Sequence, residues 1–214
     1  MALAFFLKGL AIGFSIAAPV GPIGVLCIQR TLAHGRFIGF ASGLGAATAD
    51  AAYGMVAAFG LTFVSRFLVE QQLWLHLGGG AFLLWLGYRS FTAAPANPAP
   101  SVATGNGAGR AMDAARAYGS TVLLTLANPA TILSFVAIFA GLGVGETRAS
   151  YDLAAILVAG VFAGSALWWL ILSGTTGMFR DRMGRRQLAW VNRASGCIIG
   201  LFGIAALASL FVVA

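Results

Sequence analysis

The stretch APVGPIGVLCIQRTLAHGRFIGFASGLGAATADAAYG, residues 18–54, decides the fold class. An apolar run broken by Pro19 and Pro22 leads into a short basic segment, and a second apolar run follows that contains one acidic residue, Asp50. A charged side chain at the centre of a bilayer costs roughly 2.5–3.5 kcal/mol on insertion scales. Long apolar runs separated by a basic segment therefore indicate consecutive helices of an all-α integral membrane protein.

The composition of the whole chain agrees with this interpretation. Of its 214 residues, 59% are hydrophobic and 9% are charged, whereas soluble domains carry roughly 25% charged residues. The net charge of +7 is typical of nucleic-acid-binding proteins, but here the basic residues lie between apolar runs and no recognition motif accompanies them. We therefore expect the lipid bilayer as a partner, and no nucleic acid.

Six apolar runs are long enough to cross about 30 Å of hydrocarbon at about 1.5 Å per residue. These predicted membrane helices lie at residues 3–28, 38–64, 73–91, 118–141, 152–173 and 194–213. Residues 29–36 predict a tight basic turn. Residues 178–193 mix Arg with apolar side chains, which is typical of either a short interfacial helix or a solvated basic loop.

The basic residues are distributed unequally over the predicted connections. Ten of them fall on one side of the membrane and three, Lys8, Arg66 and Arg148, fall on the other. Cytoplasmic loops are enriched in Lys and Arg. This distribution predicts that both termini lie outside the cytoplasm.

The two halves of the chain are similar at corresponding points. The matched pairs are Pro19 with Pro129, Gly45 with Gly160, Asp50 with Ser165, Tyr53 with Trp168, Gly80 with Gly196 and Gly87 with Gly203. Three membrane helices in each half would insert the second half upside down relative to the first. We therefore predict two inverted three-helix repeats, residues 1–91 and 118–214, joined by a flexible cytoplasmic linker at residues 92–117.

Asp50 is the strongest candidate for a functional residue. It lies about 18 Å along its predicted helix, near the middle of the bilayer. An acidic residue at that depth indicates a functional site. It could bind a cationic or amino group of a substrate, or it could carry a coupling proton; a structural carboxyl satisfied by nearby hydroxyl groups is the alternative.

Two broken helices provide the other candidates. Proline lacks an amide donor and clashes with the preceding helical turn, so Pro19 and Pro22, with Gly21 between them, should kink or unwind the first helix. Asn128 and Pro129 stand at the matching place in the fourth helix. The weaker candidates, which could line the same cavity, are Thr48, Tyr53, Thr131 and Ser134.

Taken together, these motifs resemble those of the LysE/RhtB-type amino-acid exporter family. The resemblance rests on residues 18–54 and on LLTLANPATILSFVAIFAGLG at residues 123–143. It implies a six-helix fold, frequent homo-oligomers, and export of amino acids or related small metabolites across the bacterial cytoplasmic (inner) membrane. It implies neither catalysis nor a cofactor.

Two other functions remain open at this stage. A metal-cation effluxer on the same scaffold would need a cluster of ligands, and no such cluster is apparent, so we expect no metal site. A membrane thiol–disulfide electron carrier would need Cys27 and Cys197 to meet, although they do not occupy matching places in the repeat.

Overall fold

The structure is a computed structural model, and it describes residues 1–19, 21–58, 72–94, 107–128, 131, 135 and 151–208. Within these ranges the chain is helical and contains no strand. The helices are α1 (Ala2–Ala17), α2 (Pro22–His34), α3 (Arg36–Ala58), α4 (Gln72–Thr92), α5 (Gly107–Leu126), α6 (Tyr151–Phe179) and α7 (Arg185–Ala208), with a 3-10 turn at Arg180–Arg182. An all-helical fold is therefore confirmed for the described part of the chain.

The first apolar run is broken where the prolines predict. α1 ends at Ala17, and α2 begins at Pro22, whose missing N–H is not needed at the first position of a helix. The axes of α1 and α2 differ by 81°. The expected tight turn at residues 29–36 is wrong, because α2 continues to His34 and only Gly35, with φ of 95°, turns the chain into α3.

Two further expectations about the connections need correction. Instead of one interfacial helix or loop, residues 178–193 contain the end of α6 at Phe179, the 3-10 turn at Arg180–Arg182 and the start of α7 at Arg185. Leu188 is buried within the bundle, whereas Phe179 and Trp190 are exposed. In the predicted linker, residues 107–117 belong to α5.

Three of the predicted membrane spans are long and apolar enough to cross a membrane, whereas α4, which corresponds to the predicted span at 73–91, is not among the helices that meet this condition. Among the described helices, α6 and α7 are each long and apolar enough to cross a membrane, and α1 with α2 meets the same condition as one bent span. The predicted runs at 38–64 and 118–141 extend outside the described residues. The count of six spans therefore stays a prediction.

Glycines allow the helices to approach closely. A Cβ atom on Gly13 of α1 would collide with the carbonyl oxygen of Val161 in α6, and one on Gly164 of α6 would collide with the carbonyl of Leu10. Packing of this kind is typical of membrane helices, where small residues allow backbones to touch.

The short helix α2 lies near the centre of the bundle and contacts α3, α6 and α7. Its apolar side chains, among them Leu26 and Cys27, belong to a buried cluster that includes Leu83 of α4, Leu124 of α5 and Ile199 of α7. This central position places the two ends of α2 beside the two cavities described below.

Candidate functional site

Asp50 lies in α3 and is only 3% exposed. The hydroxyl group of Ser165 in α6 donates a hydrogen bond to its Oδ2 atom at 2.7 Å. These two residues are the pair that the sequence repeat matches to each other, and the fold brings them into direct contact. Among the described residues, no Lys, Arg or His forms an ion pair with Asp50.

Trp169 fixes the direction of this hydrogen bond. Its indole Nε1 donates to the Ser165 oxygen at 3.1 Å. An indole N–H can only donate, so the oxygen of Ser165 is the acceptor there and its own hydrogen points at Asp50. The three side chains form a chain from Trp169 through Ser165 to Asp50, buried between α3 and α6.

A cavity of about 340 Å³ opens beside Asp50. Six of the residues predicted for the site line it, namely Pro19, Gly21, Pro22, Asp50, Asn128 and Thr131. We call it the Asp50 cavity. Eight other residues line it, among them Ala46, Thr125, Trp169 and Phe202; of these, Trp169 carried a signal in the sequence, as a tryptophan in the middle of an apolar helix that could cover the site.

Thr48 and Tyr53 do not line the Asp50 cavity. The hydroxyl of Thr48 donates to the carbonyl of Leu44 and accepts from Tyr118. The hydroxyl of Tyr53 donates to the carbonyl of Leu126 at 2.5 Å. The remaining two candidates, Pro129 and Ser134, lie outside the described residues.

The amino end of α2 forms one wall of the Asp50 cavity, where Ile23 and Gly24 line it. Gly21 precedes the helix, and within the described residues no side chain caps this end. The first amides of a helix lack partners within the helix and carry a partial positive charge. The cavity therefore holds a carboxylate on α3 and an uncapped helix amino end on α2.

Removal of the Ser165 hydroxyl tests whether the buried chain positions Asp50. We expect Ser165→Ala to reduce the transport that the family resemblance implies by roughly tenfold, since a hydrogen bond to a charged group contributes about 1.5–3 kcal/mol. Initial transport rates in reconstituted vesicles measure this. The matched control is Ser173→Ala in the same helix, because the Ser173 hydroxyl bonds only to carbonyls of its own helix. Equal rates in the two variants would contradict a role for Ser165.

The two cysteines are free and lie in different surroundings. Cys27 is buried in α2 and its thiol donates to the carbonyl of Gly39, whereas Cys197 is exposed on α7. His34 ends α2, and the side chain of His76 lies outside the described part. Within the described residues, no three His, Cys, Asp or Glu side chains are grouped to hold a metal ion.

Comparison with known proteins gives a consistent result. A family model described as LysE type translocator matches residues 14–210. The chain is 26% identical to the putative amino acid efflux protein YcgF of Bacillus subtilis, over 92% of each chain. It is 28% identical to the threonine efflux protein of Escherichia coli K12, over 64% of this chain and 67% of that protein.

A third relative is the uncharacterized membrane protein YahN of Escherichia coli K12, which is 30% identical over 83% of this chain and 77% of its own length. No solved structure matches the chain.

Proposed function

The chain belongs to the LysE-type translocator family, and we propose that it exports amino acids or related small metabolites from the bacterial cytoplasm by alternating access. Family membership makes it a membrane transporter and not an enzyme. Two of its relatives are named as efflux proteins for amino acids or threonine. The observation that carries the proposal is the Asp50 cavity, which combines a buried carboxylate with an uncapped helix end.

The two polar walls of the Asp50 cavity suit a zwitterion. The Asp50 carboxylate would bind the ammonium group of an amino acid, and the amino end of α2 would bind its carboxylate group. Amino ends of broken helices face the anionic groups of substrates in other secondary transporters. A volume of about 340 Å³ lies near the lower end of the range for small-molecule sites, which favours a small substrate.

The inverted repeat is also part of the proposal, and contacts between α4 and α7 support it. A Cβ on Gly80 would lie 3.3 Å from the carbonyl oxygen of Gly203, and one on Gly196 would lie 2.7 Å from that of Gly87. Because the sequence repeat matches Gly80 with Gly196 and Gly87 with Gly203, each contact is the counterpart of the other. Two halves related by a pseudo-two-fold axis would produce this pairing.

A second pair of contacts follows the same rule. Gly45 of α3 packs against the backbone of Tyr118 in α5, and Gly160 of α6 packs against the backbone of Phe6 in α1. The two glycines match each other in the repeat, and Tyr118 and Phe6 stand near matching places. These contacts support repeats at residues 1–91 and 118–214, between which the substrate would bind while the two halves exchange shapes.

We place the protein in the inner membrane with both termini outside the cytoplasm. The basic residues support this orientation, since most of them lie at the end of the bundle that holds the turn at Gly35 and the start of α7. A possible homo-oligomer follows from the family resemblance.

Efflux from loaded proteoliposomes tests the proposal. Vesicles with purified protein are loaded with labelled amino acids of different charge and size, and release is followed with and without a pH gradient. We expect at least one amino acid to leave about tenfold faster than from protein-free vesicles, with a rate that saturates. Release of no amino acid above the protein-free rate would refute the proposal.

Replacement of both cysteines separates transport from thiol–disulfide chemistry. We expect the double variant Cys27→Ser, Cys197→Ser to keep net efflux within about twofold of wild type, because neither thiol lines the Asp50 cavity and a serine at position 27 can still donate to Gly39. The same proteoliposome assay measures this. Loss of activity in the double variant would favour the electron carrier.

A further inference from the structure

A second cavity, of about 560 Å³, lies at the other end of α2. We call it the basic cavity. Its polar and charged lining includes Arg30, His34, Arg89, Asp113, Arg116 and Ser120. Three arginines face one aspartate, so its lining carries an excess of positive charge.

Arg30 of α2 is the most deeply placed of these arginines, and its partners are all neutral. Its Nη1 donates to the hydroxyls of Ser42 and Thr121 and to the carbonyl of Ala117, and its Nη2 donates to the hydroxyl of Ser120. Hydroxyl and carbonyl oxygens satisfy hydrogen-bond donors but do not neutralise a charge. A charge that is partly buried and left in this state favours a bound counter-ion.

The other charges of the basic cavity do not supply that counter-ion. Asp113 pairs with Arg116 at 4.0 Å, and both side chains are largely exposed. Arg89 lies over the ring of Trp85, 5.2 Å from its centre. In the part of the chain that the structure describes, no carboxylate forms an ion pair with Arg30 or Arg89.

The basic cavity and the Asp50 cavity are linked by α2. Pro22, Ile23 and Gly24 at its amino end line the Asp50 cavity, whereas Gln29 and Arg30 line the basic cavity. Eight residues separate Pro22 from Arg30, which corresponds to about 12 Å along the helix axis. Buried Leu26, which also lines the basic cavity, lies between them and belongs to the apolar core of the bundle.

We propose that the basic cavity is a second binding site, on the cytoplasmic side, which recognises the carboxylate group of the substrate through Arg30 before the substrate reaches Asp50. The inference rests on the proposed function for the direction of movement. A guanidinium group binds carboxylates with two parallel hydrogen bonds, and amino acids of every side-chain type carry that group.

Arg30 also joins α2 to α3 and α5 through its hydrogen bonds. If Arg30 only held these helices together, ligands with and without a carboxylate group would bind equally well in the basic cavity. The test therefore compares each amino acid with its own amide, which lacks the negative charge but keeps the side chain and the ammonium group.

Protection of an introduced thiol from chemical labelling measures how far an amino acid occupies the basic cavity. Ala33→Cys places a thiol in the lining of the basic cavity, in a Cys197→Ser background; Cys27 stays, since it is buried. The purified full-length protein is labelled with N-ethylmaleimide in the presence of L-threonine, L-leucine or L-lysine, and separately in the presence of their amides. We expect at least one amino acid to slow labelling about fivefold or more while its amide does not, as loss of one charged hydrogen-bonded pair predicts.

Variants of the arginines complete the test. When Arg30→Gln is added to the Ala33→Cys protein, the amino acid should no longer protect the thiol from labelling. When Arg182→Gln is added instead, which removes an exposed arginine outside the cavity lining, the protection should remain. If Arg30→Gln does not yield folded protein, Arg89→Gln should weaken the protection about threefold. Equal protection by acid and amide, protection by none of the three amino acids, or protection intact in folded Arg30→Gln would overturn the proposal, as would protection intact in Arg89→Gln where Arg30→Gln does not fold.

Wild-type efflux, measured separately, distinguishes the two proposals. If an amino acid protects the thiol and its amide does not, but no efflux is measured, the basic cavity is a carboxylate site and the transport proposal is refuted. Efflux without carboxylate-dependent protection would leave the transport proposal and remove the second site.

Discussion

Asp50→Asn is expected to lower net efflux of the transported amino acid about 100-fold or more. The amide keeps the size of the side chain and its oxygen can still accept from Ser165, so the change removes little besides the charge. Loss of one partner from a buried charged pair costs about 3–5 kcal/mol, and about 2.8 kcal/mol corresponds to a factor of 100. Initial rates of release from proteoliposomes measure the effect.

The control for this variant is Asp152→Asn, which removes an exposed carboxylate from the first turn of α6 and should transport like wild type. Exchange of labelled for unlabelled amino acid, which moves no net charge, separates the two roles of Asp50. We expect exchange to fall together with net efflux, because we propose that Asp50 binds the ammonium group of the substrate. Exchange at the wild-type rate with loss of net efflux would instead assign Asp50 the coupling proton, and an unchanged net efflux would contradict either role.

Gly164→Ala is expected to have the largest effect on stability. The added methyl group would collide with the backbone of Leu10, and backbone cannot move aside as the end of a flexible side chain can. Overpacking costs about 1–3 kcal/mol or more, while alanine recovers up to about 1 kcal/mol in helix propensity. We expect a melting temperature lower by several degrees, or no folded protein, when the purified variant is heated in detergent.

Gly174→Ala is the matched control in the same helix, because a Cβ at Gly174 meets no atom within 4 Å. Its melting temperature should equal or exceed that of wild type. Equal melting temperatures for the two alanine variants would show that α1 and α6 do not pack through Gly164, and the helix arrangement around the Asp50 cavity would need revision.

Both residues of the central contact could be picked out from the sequence, although the hydrogen bond between them was not predicted. Asp50 stands out because charge is costly in an apolar helix, and the repeat matches it with Ser165, its hydrogen-bond partner in the structure. In the proposed inverted repeat, residues near the axis that relates the two halves would be adjacent to their own counterparts, so a matched pair would become a contact. The break at Pro19 and Pro22 was equally predictable, since it depends only on the local chemistry of proline.

Other features depend on tertiary contacts that the sequence pattern does not reveal. Thr48 lies two residues before Asp50, so about 200° of rotation turns it to the opposite face of α3. Tyr53 shares the Asp50 side of the helix, but its hydroxyl bonds to the backbone of Leu126 instead of entering the cavity.

The length of α2 illustrates the same limit. Residues 29–34 look like a basic turn in isolation, yet they continue the helix because their polar side chains find partners on neighbouring helices. Gln29 bonds with Ser90 and Asn192, and Arg30 bonds with hydroxyls of α3 and α5. The basic charge of residues 29–34 suggested that they are exposed to solvent. The hydrogen-bond partners of their polar side chains instead allow these side chains to be partly buried.

Equilibrium binding of the transported amino acid to purified protein tests the central claim most directly. The wild-type chain should bind it saturably, Asp152→Asn should bind it with the same affinity, and Asp50→Asn should bind it at least about 30-fold more weakly, since a charge-assisted hydrogen bond contributes about 1.5–3 kcal/mol. Equal affinity of the wild type and folded Asp50→Asn would contradict the assignment of the Asp50 cavity as the substrate site.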